Sequence, residues 1–202
     1  MKALLVIDVQ NDFCPGGALE VPEGNKIIPG INKVMSKFDL VVASQDWHPT
    51  NHGSFASNHN KTPGEFIELA GLEQILWPDH CVENTPGAAF HDDLDIDKFD
   101  AVFTKGGNPQ IDSYSAFFDN GYFNKTGLDD YLKSKNIDKV YICGLATDYC
   151  VKFTALDAVD LDYKVHLLED LCRGVEINVG DINKALDEMR EKGVEISKSE
   201  EL

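Results

Sequence analysis

The chain has 202 residues, 43% hydrophobic and 26% charged, values of a globular domain with room for a substantial core. Its 35 acidic and 18 basic residues give a formal net charge of −17, which argues against nucleic-acid or anionic-membrane partners, since both require clustered Lys and Arg. The five cysteines, Cys14, Cys81, Cys143, Cys150 and Cys172, are odd in number and contain no CxxC pair, so neither a disulfide framework nor a structural zinc knuckle is expected.

Lys2 to Val9 (KALLVIDV) is an apolar run closed by Asp8 and reads as a strand buried on both faces of a parallel sheet. The N-terminus enters this run with no basic n-region and no cleavage site, and no apolar run approaches the ~20 residues of a membrane span. The expected compartment is the cytoplasm, with reduced thiols. Asn11 to Gly24 is a Gly- and Pro-containing loop, and Ile27, Ile31, Val34, Met35 and Phe38 follow at helical spacing. Leu40 to Ala43 is a second strand, running into Ser44-Gln45-Asp46-Trp47-His48-Pro49.

Residues 49–98 read as irregular, a loop length that in a compact domain tends to be functional. Ala101 to Thr104 is a third strand, ending at Lys105-Gly106-Gly107. Leu128, Tyr131 and Leu132 mark a helix with Thr126 as its cap. Val140 to Cys143 is a fourth strand, broken by Gly144. Thr147 reads as the N-cap of the next helix, Asp148 lies in its first turn, and Cys150 falls near the third helical position. Val151, Ala155, Ala158 and Val159 supply its apolar face. Val165 to Leu168 is a fifth strand, Ile182, Ala185, Leu186 and Met189 mark the last helix, and Val194 to Ile196 form a short edge strand.

Alternation of this kind predicts an α/β fold: a single-domain three-layer α/β/α sandwich over residues 1–202, with a central, mostly parallel sheet. Ligands bind such sheets outside the carboxyl ends of the strands. Asp8, Asp46, Lys105 and Cys150 all fall there. Cys150 at a helix start is a candidate thiolate with a lowered pKa; the alternative is a small buried core residue. Asp8 can serve as its base if burial raises the carboxyl, with Lys105 as counter-charge; the alternative is a structural ion pair. The N–H groups of Ala146 and Cys150 are placed to meet an oxyanion, and Gly144 before Leu145-Ala146 points to unusual backbone, a cis bond being one form.

Four of the six histidines lie between positions 46 and 80, and Asp46, His48 and His80 form a three-ligand metal set. His52 and His59 are spare candidates, and His91 reads as a surface residue. Phe13, Trp77 and Tyr114 can enclose a flat ring or can simply pack.

The segments LLVIDVQNDFCPGGAL (4–19), SQDWHPTNHGSFASNH (44–59), WPDHCVENTPGAAFH (77–91), KG (105–106), DSYSAF (112–117) and CGLATDYCVKFTALDA (143–158) carry a resemblance across nearly the whole chain. They resemble the nicotinamidase/pyrazinamidase group of the isochorismatase-like cysteine hydrolases. The resemblance implies the isochorismatase-like hydrolase fold and a catalytic triad of Asp8, Lys105 and Cys150. It implies metal ligation by Asp46, His48 and His80, usually of zinc, with iron or manganese as alternatives. His52 matches a metal-adjacent histidine whose ligand role varies. Phe13, Trp77, Tyr114 and Leu145 match substrate-binding positions, and Ala146 and Cys150 the oxyanion hole. The implied reaction is hydrolysis of nicotinamide to nicotinate and ammonia, and of pyrazinamide to pyrazinoate, in NAD salvage, by a chain that can be a homo-oligomer. Two rivals follow from the same residues: a cysteine amidohydrolase of carbamoyl or ureido compounds, and a non-enzymatic metal-binding or thiol-sensing protein.

Overall fold

A computed structural model describes residues 1–202. Six strands form one parallel sheet: β1 (Lys2–Ile7), β2 (Leu40–Asp46), β5 (Ala101–Lys105), β6 (Lys139–Leu145), β7 (Lys164–Arg173) and β8 (Glu195–Ser197). Their order is β5-β2-β1-β6-β7-β8, and every pairing is parallel. Helices α1 (Ile28–Val34), α2 (Leu128–Ser134), α3 (Lys152–Asp160) and α4 (Asp181–Lys192) flank it. None of them is long and apolar enough to cross a membrane.

The apolar run Ala3–Ile7 is almost fully buried, as a central strand covered on both faces requires. From β1 the chain winds outward through β2 to β5, then returns to β1's other side and winds outward through β6, β7 and β8. The winding reverses between β1 and β6, which makes their carboxyl ends the expected ligand crevice. Asp8 follows β1 directly, and the turn bearing Cys150 follows β6. Ile7 pairs with Ser44 and Gly144, and Asp46 pairs with Lys105, so these groups share one edge of the sheet.

Several elements depart from the expectations. The helical spacing of 27–38 resolves as a short α1 between two 3₁₀ turns, 24–27 and 35–37. Pro29 lacks an N–H and so sits in the first turn of α1. Residues 49–98 contain an antiparallel hairpin, β3 (Phe66–Leu69) and β4 (Leu72–Ile75). Its two-residue turn, Ala70-Gly71, has φ of +53° and +78°, and an alanine there gives no sequence signal for such a turn. Strand β7 is ten residues long because it continues past a register shift opposite Ile142 and Gly144, carrying Glu169 and Asp170 within it. Gly127, not Thr126, takes the cap position of α2, although the Thr126 hydroxyl accepts the Leu128 N–H at 3.2 Å.

The start of the cysteine helix also differs. Thr147–Val151 is a π-helical turn, with Val151 N–H reaching Ala146 O at 3.1 Å, and α3 begins only at Lys152. Ala146, not Thr147, holds the cap position, and no side chain caps the turn. Such wide turns recur at functional sites. The Asp148 carboxylate is not spent on the dipole: it accepts the N–H groups of Val175 and Glu176 at 3.0 and 2.8 Å.

Candidate active site

Asp8, Lys105 and Cys150 meet at the crevice. Asp8 is fully buried and has left-handed backbone, φ +47°, where the chain turns out of β1. Ser44 Oγ donates to its Oδ1 at 2.7 Å. The Lys105 ammonium stands 3.0 Å from Asp8 Oδ2, 2.9 Å from the Ser113 carbonyl and 3.4 Å from Cys150 Sγ, and it bonds Asp46 Oδ1. Its approach to Asp8 Oδ2 is off the hydrogen-bonding axis, so that oxygen keeps a free lone pair. One oxygen each of Asp8 and Asp46 and the Cys150 sulfur lie within 4.8 Å of one another.

Burial works against the Lys105 ammonium, yet Asp46 and Asp8 outweigh it and push its pKa well up. Burial raises the Asp8 carboxyl; Lys105 opposes and Asp46 adds to the rise. Burial also pushes the Cys150 thiol well up, with Lys105 offsetting only part of this and Asp8 and Asp46 reinforcing it. The lowered thiol pKa expected from a helix start is therefore absent: two carboxylates and a dry site outweigh the dipole and one ammonium. A thiol beside a buried carboxyl with a free lone pair is arranged to lose its proton only as it attacks. The Leu145–Ala146 peptide is cis, and the Ala146 N–H meets no other backbone acceptor.

Asp46 joins this corner to a second. Its Oδ2 lies 3.6 Å from His48 Nε2 and 3.9 Å from His80 Nε2, and the three ligand atoms fall within 4.8 Å of one another. On their far sides His48 Nδ1 donates to Gly106 O at 2.8 Å and His80 Nδ1 to Pro78 O at 2.7 Å. Each ring thus turns a lone pair on Nε2 toward the carboxylate, the arrangement in which metal-binding histidines are held. Burial takes His80 and His52 down to about 4, so both are neutral near pH 7. Burial and Lys105 pull the Asp46 carboxyl in opposite directions, and Lys105 with His48 holds it well below the usual carboxylate range. A carboxylate with two imidazole lone pairs fits a divalent cation of the zinc, iron or manganese type.

His52 is buried beside this set, with its Nδ1 on Ser54 Oγ at 2.7 Å. His59 is directed elsewhere, to Gly53 O at 2.8 Å, and His91 lies near Asp93 at the surface. Backbone bridges assemble this corner from distant loops: His48 pairs with Val82, Phe55 with Trp77, and Gln10 with Phe90.

Between the corners is a narrow pocket walled by Phe13, Leu19, Trp77, Tyr114, Tyr149 and Val175. Leu145, expected among the substrate contacts, is not there; its side chain is fully buried in the core, and Ala146 alone of that peptide reaches the pocket. Tyr149, Asp112, Gln74 and Gln10 were not anticipated. Tyr149 packs edge-on to Trp77 at 4.8 Å. Gln74 Nε2 donates to Tyr114 OH at 3.1 Å and Asp112 Oδ2 at 3.0 Å. Gln10 fixes Asp46 through both its N–H and its carbonyl, each at 2.8 Å. Tyr149 and Asp112 sit inside the motifs TDYC and DSYSAF, the only signal available for either.

A doubly wound parallel sheet with a thiol, a carboxyl and an ammonium at its reversal point, beside an aspartate–histidine set, defines a cysteine hydrolase with a metal-binding corner. The chain belongs to the isochorismatase family: the Isochorismatase domain matches residues 2–201. It is 54% identical over 196 residues to the nicotinamidase of Escherichia coli K12, covering 95% of this chain and 92% of that one. The Acinetobacter baumanii nicotinamidase/pyrazinamidase structure superposes with a TM-score of 0.96 at 47% identity, over 99% of this chain and 97% of that one. The Pyrococcus horikoshii pyrazinamidase, solved in complex with zinc, gives 0.78 at 40% identity over 98% of each.

Proposed function

We propose that this chain is a metal-dependent nicotinamidase, a single hydrolase domain that converts nicotinamide to nicotinate and ammonia in cytoplasmic NAD salvage and accepts pyrazinamide as well. The observation that carries the reading is the meeting of both corners on one pocket. Cys150 and Asp46 line the same aromatic slot, and His80 lies beside them. The metal corner separates this reading from the carbamoyl and ureido amidohydrolases, and the Asp8–Lys105–Cys150 contact separates it from a mere metal- or thiol-sensing protein.

In the reaction, Phe13 and Trp77 flank the pyridine ring and aim the carboxamide at Cys150. A divalent cation held by Asp46, His48 and His80 would supply a Lewis-acidic contact for the ring nitrogen. Asp8 takes the thiol proton as Sγ attacks the carboxamide carbon. The N–H groups of Ala146 and Cys150 receive the oxyanion, and loss of one such donor typically costs on the order of 100- to 1000-fold in rate. Asp8 returns the proton to the departing nitrogen, the C–N bond breaks and ammonia leaves. Water, deprotonated by Asp8, then attacks the thioester carbon; the C–S bond breaks, nicotinate is freed, and Asp8 returns the proton to the Cys150 sulfur. Lys105 balances the charge of Asp8 and of the sulfur throughout.

The test is ammonia release from nicotinamide by the purified protein, before and after chelation, with zinc, iron and manganese added back. Activity that vanishes on chelation and returns with one metal is expected. Absence of ammonia under every metal would overturn the assignment and direct attention to other amides.

A further inference from the structure

The aromatic slot is closed. Cys150 is 7% exposed, and Phe13, Trp77, His80 and Ala146 are buried around it. A ring can reach the sulfur only if one wall swings aside.

The walls are held very differently. Phe13 and Leu19 sit in a loop tied by its own backbone: the Phe13 N–H donates to Gln10 O at 3.1 Å, the Leu19 N–H to Asp12 O at 3.0 Å and the Val21 N–H to Phe13 O at 3.1 Å. The Trp77 N–H donates to Ser54 O at 2.8 Å, its carbonyl accepts the Ala56 N–H at 2.9 Å, and its Nε1 is bound to Tyr114. The Tyr114 N–H donates to Asn120 Oδ1 at 3.0 Å, and its hydroxyl accepts from Trp77 and Gln74. Val175 is the exception. Val175, Glu176 and Ile177, in the link from β7 to α4, make no backbone-to-backbone hydrogen bond.

Two backbone N–H groups hold this strap to the body, and both end on one side chain. Asp148 Oδ1 accepts the Val175 N–H at 3.0 Å, and Oδ2 accepts the Glu176 N–H at 2.8 Å. Further bonds stay within the strap and the start of α4: Glu176 Oε1 accepts the Gly180 N–H at 3.0 Å, and Asp181 Oδ2 the Asn178 N–H at 2.8 Å. Ile177 and Val179 are exposed, so the outer side is not packed down. Gly174 and Gly180 bracket the strap, small residues suited to absorb a hinge rotation. Asp148 itself lies in the π-turn that carries Cys150.

We propose that residues 175–179 are the door of the aromatic slot and that Asp148 is its latch, a positioning residue that closes Val175 over the ring. This rests on the nicotinamide reading of the slot.

The test follows nicotinamide binding to the zinc-loaded Cys150→Ala protein by stopped-flow tryptophan fluorescence, with and without Asp148→Asn. Asparagine keeps the shape but offers one acceptor oxygen, so one bond to a charged group is lost and the open fraction rises about tenfold. Association and dissociation should both quicken by that factor with Kd nearly unchanged, because the latch closes the door in free and bound protein alike. An unchanged association rate with a weaker Kd would reduce Asp148 to a brace of the pocket and overturn the proposal. Amide exchange by NMR checks the protein with Asp148 intact. The Val175 and Glu176 N–H groups should exchange about tenfold faster, or more, than those of Leu19 and Trp77, and should slow on saturation with nicotinamide. Equal protection of these walls would place the opening elsewhere and overturn it as well. Failure of the Cys150→Ala protein to bind nicotinamide in calorimetry would instead sink the functional reading, while the order of exchange in the free protein still decides which wall opens.

Discussion

Asp8, Lys105 and Cys150 hang from the ends of three parallel strands, whereas His48 and His80 are carried by loops that no strand continues. The first set is positioned by the register of the central sheet, whose hydrogen bonds run through a dry core. The second is positioned by isolated bridges and single carbonyls, Gly106 O behind His48 and Pro78 O behind His80. Electrostatically they also divide. The thiol corner sets one ammonium between Asp8 and Asp46, and the imidazole corner turns two ring nitrogens to Asp46: that of His80, whose pKa burial pushes down, and that of His48, where burial is outweighed by Asp46 and the pKa rises. Asp46 belongs to both, giving Oδ1 to Lys105 and facing the imidazoles with Oδ2. The fold thus builds a strand-borne chemical centre and sets a loop-borne corner beside it.

The sharpest separation of the two corners is Cys150→Ala. Turnover should fall on the order of 10⁴-fold or more, because loss of a nucleophile leaves only binding and the oxyanion donors. Nicotinamide affinity and bound metal should stay at wild-type levels by calorimetry and metal analysis. Residual turnover near wild type would remove Cys150 from the mechanism.

Two glycines then test each corner's support. At Gly144, φ is +121° and an added Cβ would stand 2.1 Å from the Ile7 carbonyl oxygen, a backbone atom of the neighbouring strand. Gly144→Ala should cost about 3 kcal/mol or more, read as a lower midpoint in denaturant melts, since the sheet cannot yield there. At Gly106, φ is +73° and the Cβ would meet the His48 ring, 2.3 Å from Cε1. A ring can rotate where a strand cannot. Gly106→Ala should therefore destabilise less and lower zinc affinity by about tenfold or more, as disturbed supporting contacts do. Equal stability losses with unchanged zinc affinity would erase the distinction between a sheet-built and a loop-built half.

The same division governs what the sequence reveals. Continuous apolar runs announce buried parallel strands, and the polar residue closing each run announces the site, so the placement of Asp8, Asp46 and Lys105 is legible without coordinates. Side-chain direction at a strand end is not: Leu145 lies one residue from the pocket-lining Ala146, yet its side chain is buried in the core. The π-turn at Thr147–Val151 also escapes, because Thr-Asp before an apolar periodicity reads equally well as an ordinary capped helix. Gln10, Gln74 and Asp112 act through partners dozens of residues away, and no local pattern encodes a hydrogen bond such as Gln74 to Asp112. Which histidine nitrogen carries the hydrogen is likewise decided by tertiary neighbours alone.

The smallest expected effect lies on the wall between the corners. Trp77 Nε1 donates to Tyr114 OH at 3.2 Å, and Gln74 Nε2 donates to the same oxygen at 3.1 Å. Trp77→Phe keeps an aromatic face toward the ring and removes one of these two donors. Tyr114 OH is not orphaned, so the cost is one neutral hydrogen bond, about 1 kcal/mol, or roughly a fivefold rise in KM. The chemistry at Cys150 is untouched, and kcat should stay near wild type in steady-state ammonia release. A fall in kcat at constant KM would place Trp77 in the chemical step rather than in binding, and the aromatic wall would then belong to the thiol corner.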